Sequence, residues 1–326
     1  MPSKLRQTIL KLLPWLVTAL VLAYIGWSTD LTTAKKTLAA TNWAGFMPVV
    51  LLVAFGVFFF DSWCLALIFR RFNAPVGYRE LLPLKGASYF LNLINYNAAA
   101  AGIALFFRNK KKVPFLEALS TMLWLNFIDI VALATLMLAG LVFGGARIDP
   151  SYERTLFWLA SGIYVILIGS CLYWNAGVNF LVLGRLRGLA IFTAFRRAHL
   201  VDYGRFITLR TTFVLTYVVS QWASMPFFDM HASFRELLTV VPVLTFVGTI
   251  PFTTVAGLGT VQVMMRELFA DFAPAGAAQI DAYSTTSILA LVAWRIVIGY
   301  VSMGMMMRDA QGEATVHSEP TTDTVK

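Results

Sequence analysis

The stretch GASYFLNLINYNAAAAGIALFFRNKKK, residues 86–112, joins an apolar run to a polar centre and a basic end. A bilayer core about 30 Å thick needs roughly 20 apolar residues for one helical crossing, and residues 86–107 reach that length. The middle of this apolar stretch contains asparagines and several consecutive small residues, and the asparagines and glycine among them disfavour a continuous helix there. We therefore predict that this segment enters the hydrocarbon and turns back.

The rest of the chain is also strongly apolar. Of its 326 residues, 58% are hydrophobic and 13% are charged, and the mean hydropathy is +0.71. Soluble domains are about half apolar and a quarter charged. The apolar runs are approximately 9–28, 46–69, 86–107, 116–144, 156–176, 206–228, 237–260 and 282–307. We predict an all-α polytopic membrane protein whose first run is retained as a helix rather than removed as a signal peptide.

The basic connections between runs fix the orientation, because Lys and Arg are retained on the cytoplasmic side. Residues 70–85, 108–117 and 178–205 are basic, as is the N-terminus, whereas 145–155 is balanced and 266–281 is acidic. If all eight runs crossed, 108–117 and 178–205 would both lie outside. If the third and seventh runs are re-entrant, all the basic connections lie on the cytoplasmic side, and the balanced and acidic connections lie outside. This arrangement predicts six full crossings, with the N- and C-termini cytoplasmic.

The seventh run carries the same kind of helix-interrupting residues as the third, including Pro242 and Gly248. The predicted order of crossing, crossing, re-entrant segment, crossing then occurs in residues 1–150 and, inverted, in 151–308. Residues 309–326 are predicted to be a disordered cytoplasmic tail. Inverted repeats with interrupted segments point to a transport site at the repeat interface. The alternative is two ordinary crossings whose polar and small residues pack against neighbouring helices.

Polar and helix-breaking residues of the two interrupted segments are candidates for a substrate groove. The candidates are Asn92, Asn95, Asn97, Asn126, Pro251, Thr253, Thr254, Gly257, Gly259 and Gln262. Non-helical backbone at membrane depth is tolerated where it lines a wet cavity or is buried in protein. The same asparagines could instead form hydrogen bonds between helices, so the pattern leaves both interpretations open.

Three ionisable residues, Asp61, Asp129 and Arg295, fall near the middle of predicted crossings. A charge there costs at least about 2.5–3.5 kcal/mol, so each should find a partner or a wet cavity. Asp129 and Arg295 follow the interrupted segments at equivalent positions and could meet, either as a structural ion pair or in moving protons or substrate. Asp61 follows three phenylalanines that offer it no partner.

Basic residues of two connections are candidates for contacts with lipid headgroups. They are Arg108, Lys110, Lys111, Lys112, Arg185, Arg187, Arg196 and Arg197. Residues 178–205 alternate apolar stretches with arginines, a pattern typical of a helix lying in the headgroup layer. These cations could act only as topology determinants that touch anionic lipid, or they could form a specific headgroup site.

Other function classes are disfavoured by the sequence. The net charge of +9 lies in short connections rather than in a basic domain, so nucleic-acid binding is not expected. Cys64 and Cys171 lie in apolar runs, and three scattered histidines offer no metal-ligand set. Phosphate-binding loops, nucleophile elbows and zinc motifs are absent. We predict a protein that is not an enzyme and that uses no cofactor.

Two stretches resemble the membrane region of lysylphosphatidylglycerol synthases and related flippase-like integral membrane proteins. They are LNLINYNAAAAGIALFFRNKKKVPFLEALSTMLWLNFIDIVAL, residues 91–133, and FVGTIPFTTVAGLGTVQ, residues 246–262. The resemblance implies a lipid-translocating or lipid-binding membrane unit. In aminoacylating members a soluble transferase domain follows, and the chain ending at Lys326 leads us to expect none here.

The resemblance is incomplete at positions where the family usually has carboxylates. The first interrupted segment, 95–102, has no acid, Leu125 and Asn126 replace a Glu and Arg pair, and Gln262 replaces a Glu. Proton coupling through those carboxylates is therefore in doubt.

The leading hypothesis is a flippase-like transporter, in the inner or plasma membrane, that moves an anionic, polyprenyl or other polar-headgroup lipid between leaflets. Its expected partners are membrane lipids. The alternative is a non-transporting scaffold subunit of a membrane-bound lipid- or glycan-modifying enzyme. A stoichiometric partner on co-purification would favour the scaffold.

Overall fold

The computed structural model describes residues 31–94, 96–143, 150–175, 183–249 and 260–316, and the regular structure of these ranges is helical. The predicted first run, 9–28, lies outside them. The α-helices in chain order are α1 (Leu31–Ala40), α2 (Trp43–Phe72), α3 (Tyr78–Ile94), α4 (Tyr96–Lys111), α5 (Phe115–Phe143), α6 (Pro150–Asn175), α7 (Leu183–Arg187), α8 (Thr193–Arg197), α9 (Leu200–Ser224), α10 (Phe234–Thr249), α11 (Thr260–Leu268) and α12 (Ala277–Val316).

Within the described residues, four helices are long and apolar enough to cross a membrane. They lie at Trp43–Phe72, Phe115–Phe143, Ser151–Asn175 and Ala277–Arg308. The predicted run 206–228 falls in α9, which is less apolar because it includes Asp202, Arg205 and Arg210. The chain is therefore an all-α, polytopic membrane protein, as predicted.

Helices α3 and α4 form a helical hairpin, which we call hairpin 1. Near its turn, a Cβ atom on Gly102 would lie 2.5 Å from the Leu91 side chain. At its open end, Lys111 Nζ lies 2.8 Å from Glu80 Oε1. In one continuous helix these last two residues would be about 45 Å apart, at 1.5 Å per residue. The chain therefore reverses direction within the third apolar run, and hairpin 1 extends beyond the predicted 86–107 at both ends.

Helices α10 and α11 form a second helical hairpin, hairpin 2. Gly248 lies against Val261, with 3.8 Å between an added Cβ and the valine side chain. At the open end, the His231 backbone N–H donates to the Phe272 carbonyl oxygen at 3.1 Å. The start of α10 is fixed by a capping box, in which Ser233 and Glu236 exchange hydrogen bonds with each other's backbone N–H. Residues 250–259, which connect the two helices, lie outside the described ranges.

Helices α2 and α9 are antiparallel, and contacts along their whole length connect them. From one end to the other these contacts are Arg71 with Asp202 at 2.8 Å, the Phe60 and Phe213 rings at 6.1 Å, and the Phe46 ring with that of Phe228, in the 3₁₀ turn that directly follows α9, at 5.1 Å. Hairpin 1 follows the C-terminal end of α2, and hairpin 2 follows the C-terminal end of α9. The two hairpins therefore open at opposite ends of this helix pair.

Each hairpin packs against the long helix that follows the other hairpin. Helix α3 packs on α12, where a Cβ on Gly86 would overlap Ser302 Oγ. Helix α10 packs on α5, where a Cβ on Gly140 would lie 2.6 Å from the Thr239 backbone nitrogen. Small residues let helix backbones approach closely in membranes. The glycines thus allow the two reciprocal contacts that hold the halves together.

The structure does not form the single interfacial helix predicted over 178–205. Its described part consists of the short helices α7 and α8, a 3₁₀ turn at Ala190–Phe192 and the start of α9. The Ala194 backbone N–H donates to Ser120 Oγ at 2.9 Å, which ties α8 to α5. A capping box between His199 and Asp202 begins α9 and ends the preceding segment. The apolar residues of this region are thus used for packing on α5 rather than for one helix in the headgroup layer.

Candidate functional site

Four charged side chains from four helices meet inside the protein. Asp61 on α2 contacts two cations, Lys85 Nζ of hairpin 1 at 2.6 Å and Arg210 Nη1 of α9 at 2.6 Å. Arg210 also donates two hydrogen bonds to Asp129 on α5, of which the one from Nη2 to Oδ2 is 3.0 Å long. We call Asp61, Lys85, Asp129 and Arg210 the charge cluster.

The charge cluster is buried and balanced. Arg210 is 4% exposed and Asp61 is 8% exposed. Two carboxylates face two cations, so the formal charges sum to zero. Buried charges are tolerated when they are paired and hydrogen-bonded, and removing one partner leaves an uncompensated charge that is costly. The ring of Phe213 adds a cation–π contact, 4.1 Å from the Arg210 guanidinium carbon.

Two members of the cluster, Asp61 and Asp129, were predicted from the sequence. Asp61 was expected to need a partner or a wet cavity that its neighbouring phenylalanines do not offer, and the structure gives it Lys85 and Arg210. Asp129 was expected to be able to meet Arg295, whereas it pairs with Arg210. Arg210 lies inside the apolar run 206–228, and the need to neutralise two intramembrane acids was the signal that could have identified it.

A cleft of about 60 Å³ lies next to the charge cluster, between the two halves. Helices α2, α3, α9 and α12 each contribute to its lining. Its polar side chains are Tyr89, Tyr217, Ser220, Gln221 and Arg295. A few convergent polar groups in an apolar wall are typical of the lining of small-ligand sites, but the volume of this cleft is well below the roughly 300–1,000 Å³ of such sites.

Tyr89 connects the cleft to the charge cluster. Its ring lies 6.0 Å from Lys85 Nζ and 5.9 Å from the Arg295 guanidinium carbon. Tyr89 is 6% exposed, so little water separates these groups. A row of polar side chains therefore runs from Arg295 through Tyr89 and Lys85 to Asp61.

The predicted groove residues are distributed differently. Asn92 on α3 and Asn126 on α5 are half-buried, whereas Asn97 on α4 is exposed. Gln262 is 1% exposed and donates to Thr285 Oγ1 at 2.7 Å, and its own oxygen accepts no hydrogen bond among the described residues. The remaining candidates lie outside the described residues; they are Asn95, Pro251, Thr253, Thr254, Gly257 and Gly259. Of the groove candidates that the structure describes, namely Asn92, Asn97, Asn126 and Gln262, none lines the cleft.

Several predicted headgroup-binding cations make contacts within the protein. Lys111 pairs with Glu80 at 2.8 Å, and Arg197 lies 3.1 Å from Glu117 and donates to the Phe72 carbonyl at 2.7 Å. The other contacts are Lys112 Nζ to the Asn109 carbonyl, Arg187 to the Tyr173 carbonyl, and Arg196 to the Arg187 carbonyl and Thr193 Oγ1.

The remaining predicted headgroup-binding cations are Arg108, Lys110 and Arg185. Arg108 and Lys110 are exposed, and the side chain of Arg185 is outside the described set. The basic connections thus gather at the end of the molecule where hairpin 1 opens, and part of their charge stabilises helix ends and ion pairs there.

The site consists of paired charges and neutral polar groups within an apolar surrounding. Within the described residues there is no group of His, Cys, Asp and Glu that could hold a metal ion. The fold and this site define a class: a polytopic helical membrane protein with two helical hairpins and a charge cluster that joins one of the hairpins to three long helices.

The chain matches the model of the family described as lysylphosphatidylglycerol synthase TM region over residues 12–304. It belongs to this family, and the resemblance expected from its sequence is confirmed. Membership relates the protein to lipid-modifying and lipid-handling membrane proteins. Comparisons with curated proteins and with solved structures found no match.

Proposed function

We propose that this protein is a flippase-like transporter that moves a polar-headgroup lipid between the leaflets of the membrane. The observation that carries the proposal is the polar cleft beside the charge cluster, at the boundary between two packed halves. Moving a headgroup across hydrocarbon requires polar groups at membrane depth, because an unsatisfied polar group there costs several kcal/mol.

The topology that we propose has six crossings and two re-entrant hairpins, arranged as an inverted repeat. Its support is geometric. Each half has a long helix, a helical hairpin and a second long helix, namely α2 to α5 and α9 to α12. Because α2 and α9 are antiparallel, the halves have opposite direction. At the open end of each hairpin its two helices remain in contact, through Glu80 with Lys111 and through His231 with Phe272. These contacts support re-entry from opposite sides of the membrane.

Charge at the two ends supports the orientation of this topology. The end at which hairpin 1 opens carries Arg79, Arg108 and Lys112, together with the arginines that precede α9. The end at which hairpin 2 opens carries exposed acids, including Glu267 and Asp271. By the positive-inside rule the first end is cytoplasmic. Helix α12 runs from the second end to the first, since Gln279 near its start donates to the Phe228 carbonyl and Ser302, further along, packs on Gly86 of hairpin 1; this direction supports a cytoplasmic C-terminus.

In the proposed transporter, the charge cluster would stabilise the resting conformation, in which hairpin 1 is paired with α2. Lys85 lies on hairpin 1, whereas its partner Asp61 lies on α2. A movement of hairpin 1 would separate this pair and widen the cleft at Tyr89. Hairpin elements that move against a fixed helix pair are one way of reaching alternating access. In this proposal the protein catalyses no covalent reaction, and membrane lipids are its partners.

Leaflet-resolved lipid movement in reconstituted vesicles tests the proposal. Fluorescent lipids with anionic, zwitterionic and polyprenyl phosphate headgroups are placed in one leaflet, and their loss from it is followed with a membrane-impermeant quencher. We expect protein-dependent movement of at least one headgroup class, and a clearly lower rate of this movement on Lys85→Gln substitution. Equal rates in vesicles with and without protein, across the whole panel, would refute the transport function.

A further inference from the structure

Arg295 brings a positive charge to the cleft that the charge cluster does not balance. Within that cluster the two carboxylates are already matched by two cations. Arg295 lies on α12, within the stretch Ala277–Arg308 that is long and apolar enough to cross a membrane. In the part of the chain that the structure describes, no acidic side chain lies within ion-pair distance of its guanidinium.

The charge of Arg295 has to be compensated in some other way. Arginine does not lose its proton in proteins, and a cation at membrane depth is costly unless it is paired or reaches water. The half-buried side chain lines the cleft, where the ring of Tyr89 lies 5.9 Å from the guanidinium carbon. A ring face offsets only part of a full charge. An anion in the cleft would supply the rest.

Neutral hydrogen-bond donors line the same cleft. Tyr89 of hairpin 1 and Tyr217 of α9 bring hydroxyl groups that have no hydrogen-bond partner among the described residues. Gln221 of α9 brings an amide, whose oxygen accepts a hydrogen bond from the Tyr283 hydroxyl. Its NH₂ group is thus left to donate. Hydrogen bonds from such donors to an ion are strong, and they add no further charge to the site.

The size and walls of the cleft limit the anion to a small, singly charged one. The cleft has a volume of about 60 Å³, and a water molecule takes about 30 Å³ in the liquid. There is thus room for about two groups of that size, such as a halide ion and one water molecule. Val57, Leu291 and Trp294 form apolar walls, which disfavour a divalent ion because its second charge would stay unpaired in an apolar surrounding.

We propose that the cleft binds one chloride ion, held between the Arg295 guanidinium and the hydroxyl and amide donors of hairpin 1 and α9. The ion neutralises the charge on α12 and links this helix to α9 and to hairpin 1 in its resting position. Because it binds the folded protein, chloride stabilises this packing by mass action. The site goes beyond the proposed transport function, since a structural counter-ion is bound whether or not the protein moves a lipid.

Broadening of the chloride NMR line by the purified protein, in an uncharged detergent, measures this binding directly. Chloride is titrated against gluconate, which is too large for the cleft, at constant ionic strength, so that the screening of surface charges does not change. We expect the broadening to saturate. In the same titration the unfolding temperature should rise with chloride, and sulfate at the same ionic strength should give no such rise.

Variants locate the ion. Arg295→Gln should weaken chloride binding about a hundredfold, because the ion loses its charged partner. Tyr217→Phe keeps the ring and removes only one hydroxyl, so it should weaken binding about tenfold. Arg308→Gln, on the same helix as Arg295 and exposed, is the matched control and should bind chloride as the unmodified protein does.

Several outcomes would overturn the proposal. They are the absence of saturable broadening by the unmodified protein, equal stabilisation by sulfate, and a folded Arg295→Gln variant that binds chloride as tightly as the Arg308→Gln control. If Arg295→Gln does not fold, Tyr217→Phe decides in its place, and an unchanged affinity would reject the site. Chloride binding that depends on these side chains, in a protein that moves no lipid, would uphold the site and reject only the transport function.

Discussion

Arg210 and Asp61 are 149 residues apart in the chain, and their side chains meet at 2.6 Å inside the protein. Arg210 belongs to the second half and Asp61 to the first. Their contact, extended to Asp129 and Lys85, joins α2, α9, α5 and hairpin 1 at one point. The charge cluster thus holds the two halves together and at the same time fixes the position of hairpin 1.

Arg210→Gln should destabilise the protein by about 3–5 kcal/mol, because Asp129 loses the cation with which it pairs and is left as an uncompensated charge. Thermal unfolding in detergent micelles measures the change. Arg205→Gln, on the same helix but exposed, is the control and should stay within about 0.5 kcal/mol.

Combining Arg210→Gln with Asp129→Asn should restore part of the lost stability, because the remaining Asp61 and Lys85 again balance. The two substitutions should therefore cost less together than the sum of their separate effects. Strict additivity would mean that Asp129 and Arg210 do not form an ion pair in the folded protein.

Lys85→Gln should lower lipid movement more than it lowers stability. Asp61 keeps Arg210 as a partner, so the loss of one charged hydrogen bond should cost only about 1.5–3 kcal/mol. Hairpin 1 loses its ion pair with α2, however, and we expect transport to fall about tenfold if hairpin position gates the cleft. Arg79→Gln, exposed on the same helix, is the control for both measurements.

Gly140→Ala should destabilise the protein by about 1–3 kcal/mol, the usual cost of overpacking. Its added Cβ would lie 2.6 Å from the backbone nitrogen of Thr239 on hairpin 2, so a backbone has to move. Gly162→Ala on α6 is the matched control, since a Cβ there would meet no atom within 4 Å. The control should be neutral or stabilising by up to about 1 kcal/mol, because alanine favours helix. Equal effects at both positions would show that close packing of hairpin 2 on α5 is unimportant.

The turn at the third apolar run was predictable because two independent signals agreed. The asparagines around Asn95 disfavour a continuous helix, and the positive-inside rule predicts that the basic residues 108–112 lie on the same side as residues 70–85. The partners of Asp61 and Asp129 were harder to predict from the sequence, since Arg210 and Lys85 are brought to them only by the antiparallel packing of α2 with α9. The cleft could not be predicted at all, because Tyr89 and Arg295 are 206 positions apart and meet only through the packing of α3 on α12.

The accessibility of single cysteines tests most directly whether the two hairpins re-enter the membrane. Cys64 and Cys171 are first replaced by alanine, and cysteines are then introduced one at a time at the exposed positions Arg79, Lys112, Arg235 and Asp271. An impermeant maleimide should label Arg79→Cys and Lys112→Cys only from the cytoplasmic face, and Arg235→Cys and Asp271→Cys only from the opposite face. Labelling of Arg79→Cys and Lys112→Cys from opposite faces would mean that hairpin 1 crosses the membrane, and the re-entrant, inverted-repeat topology would be wrong.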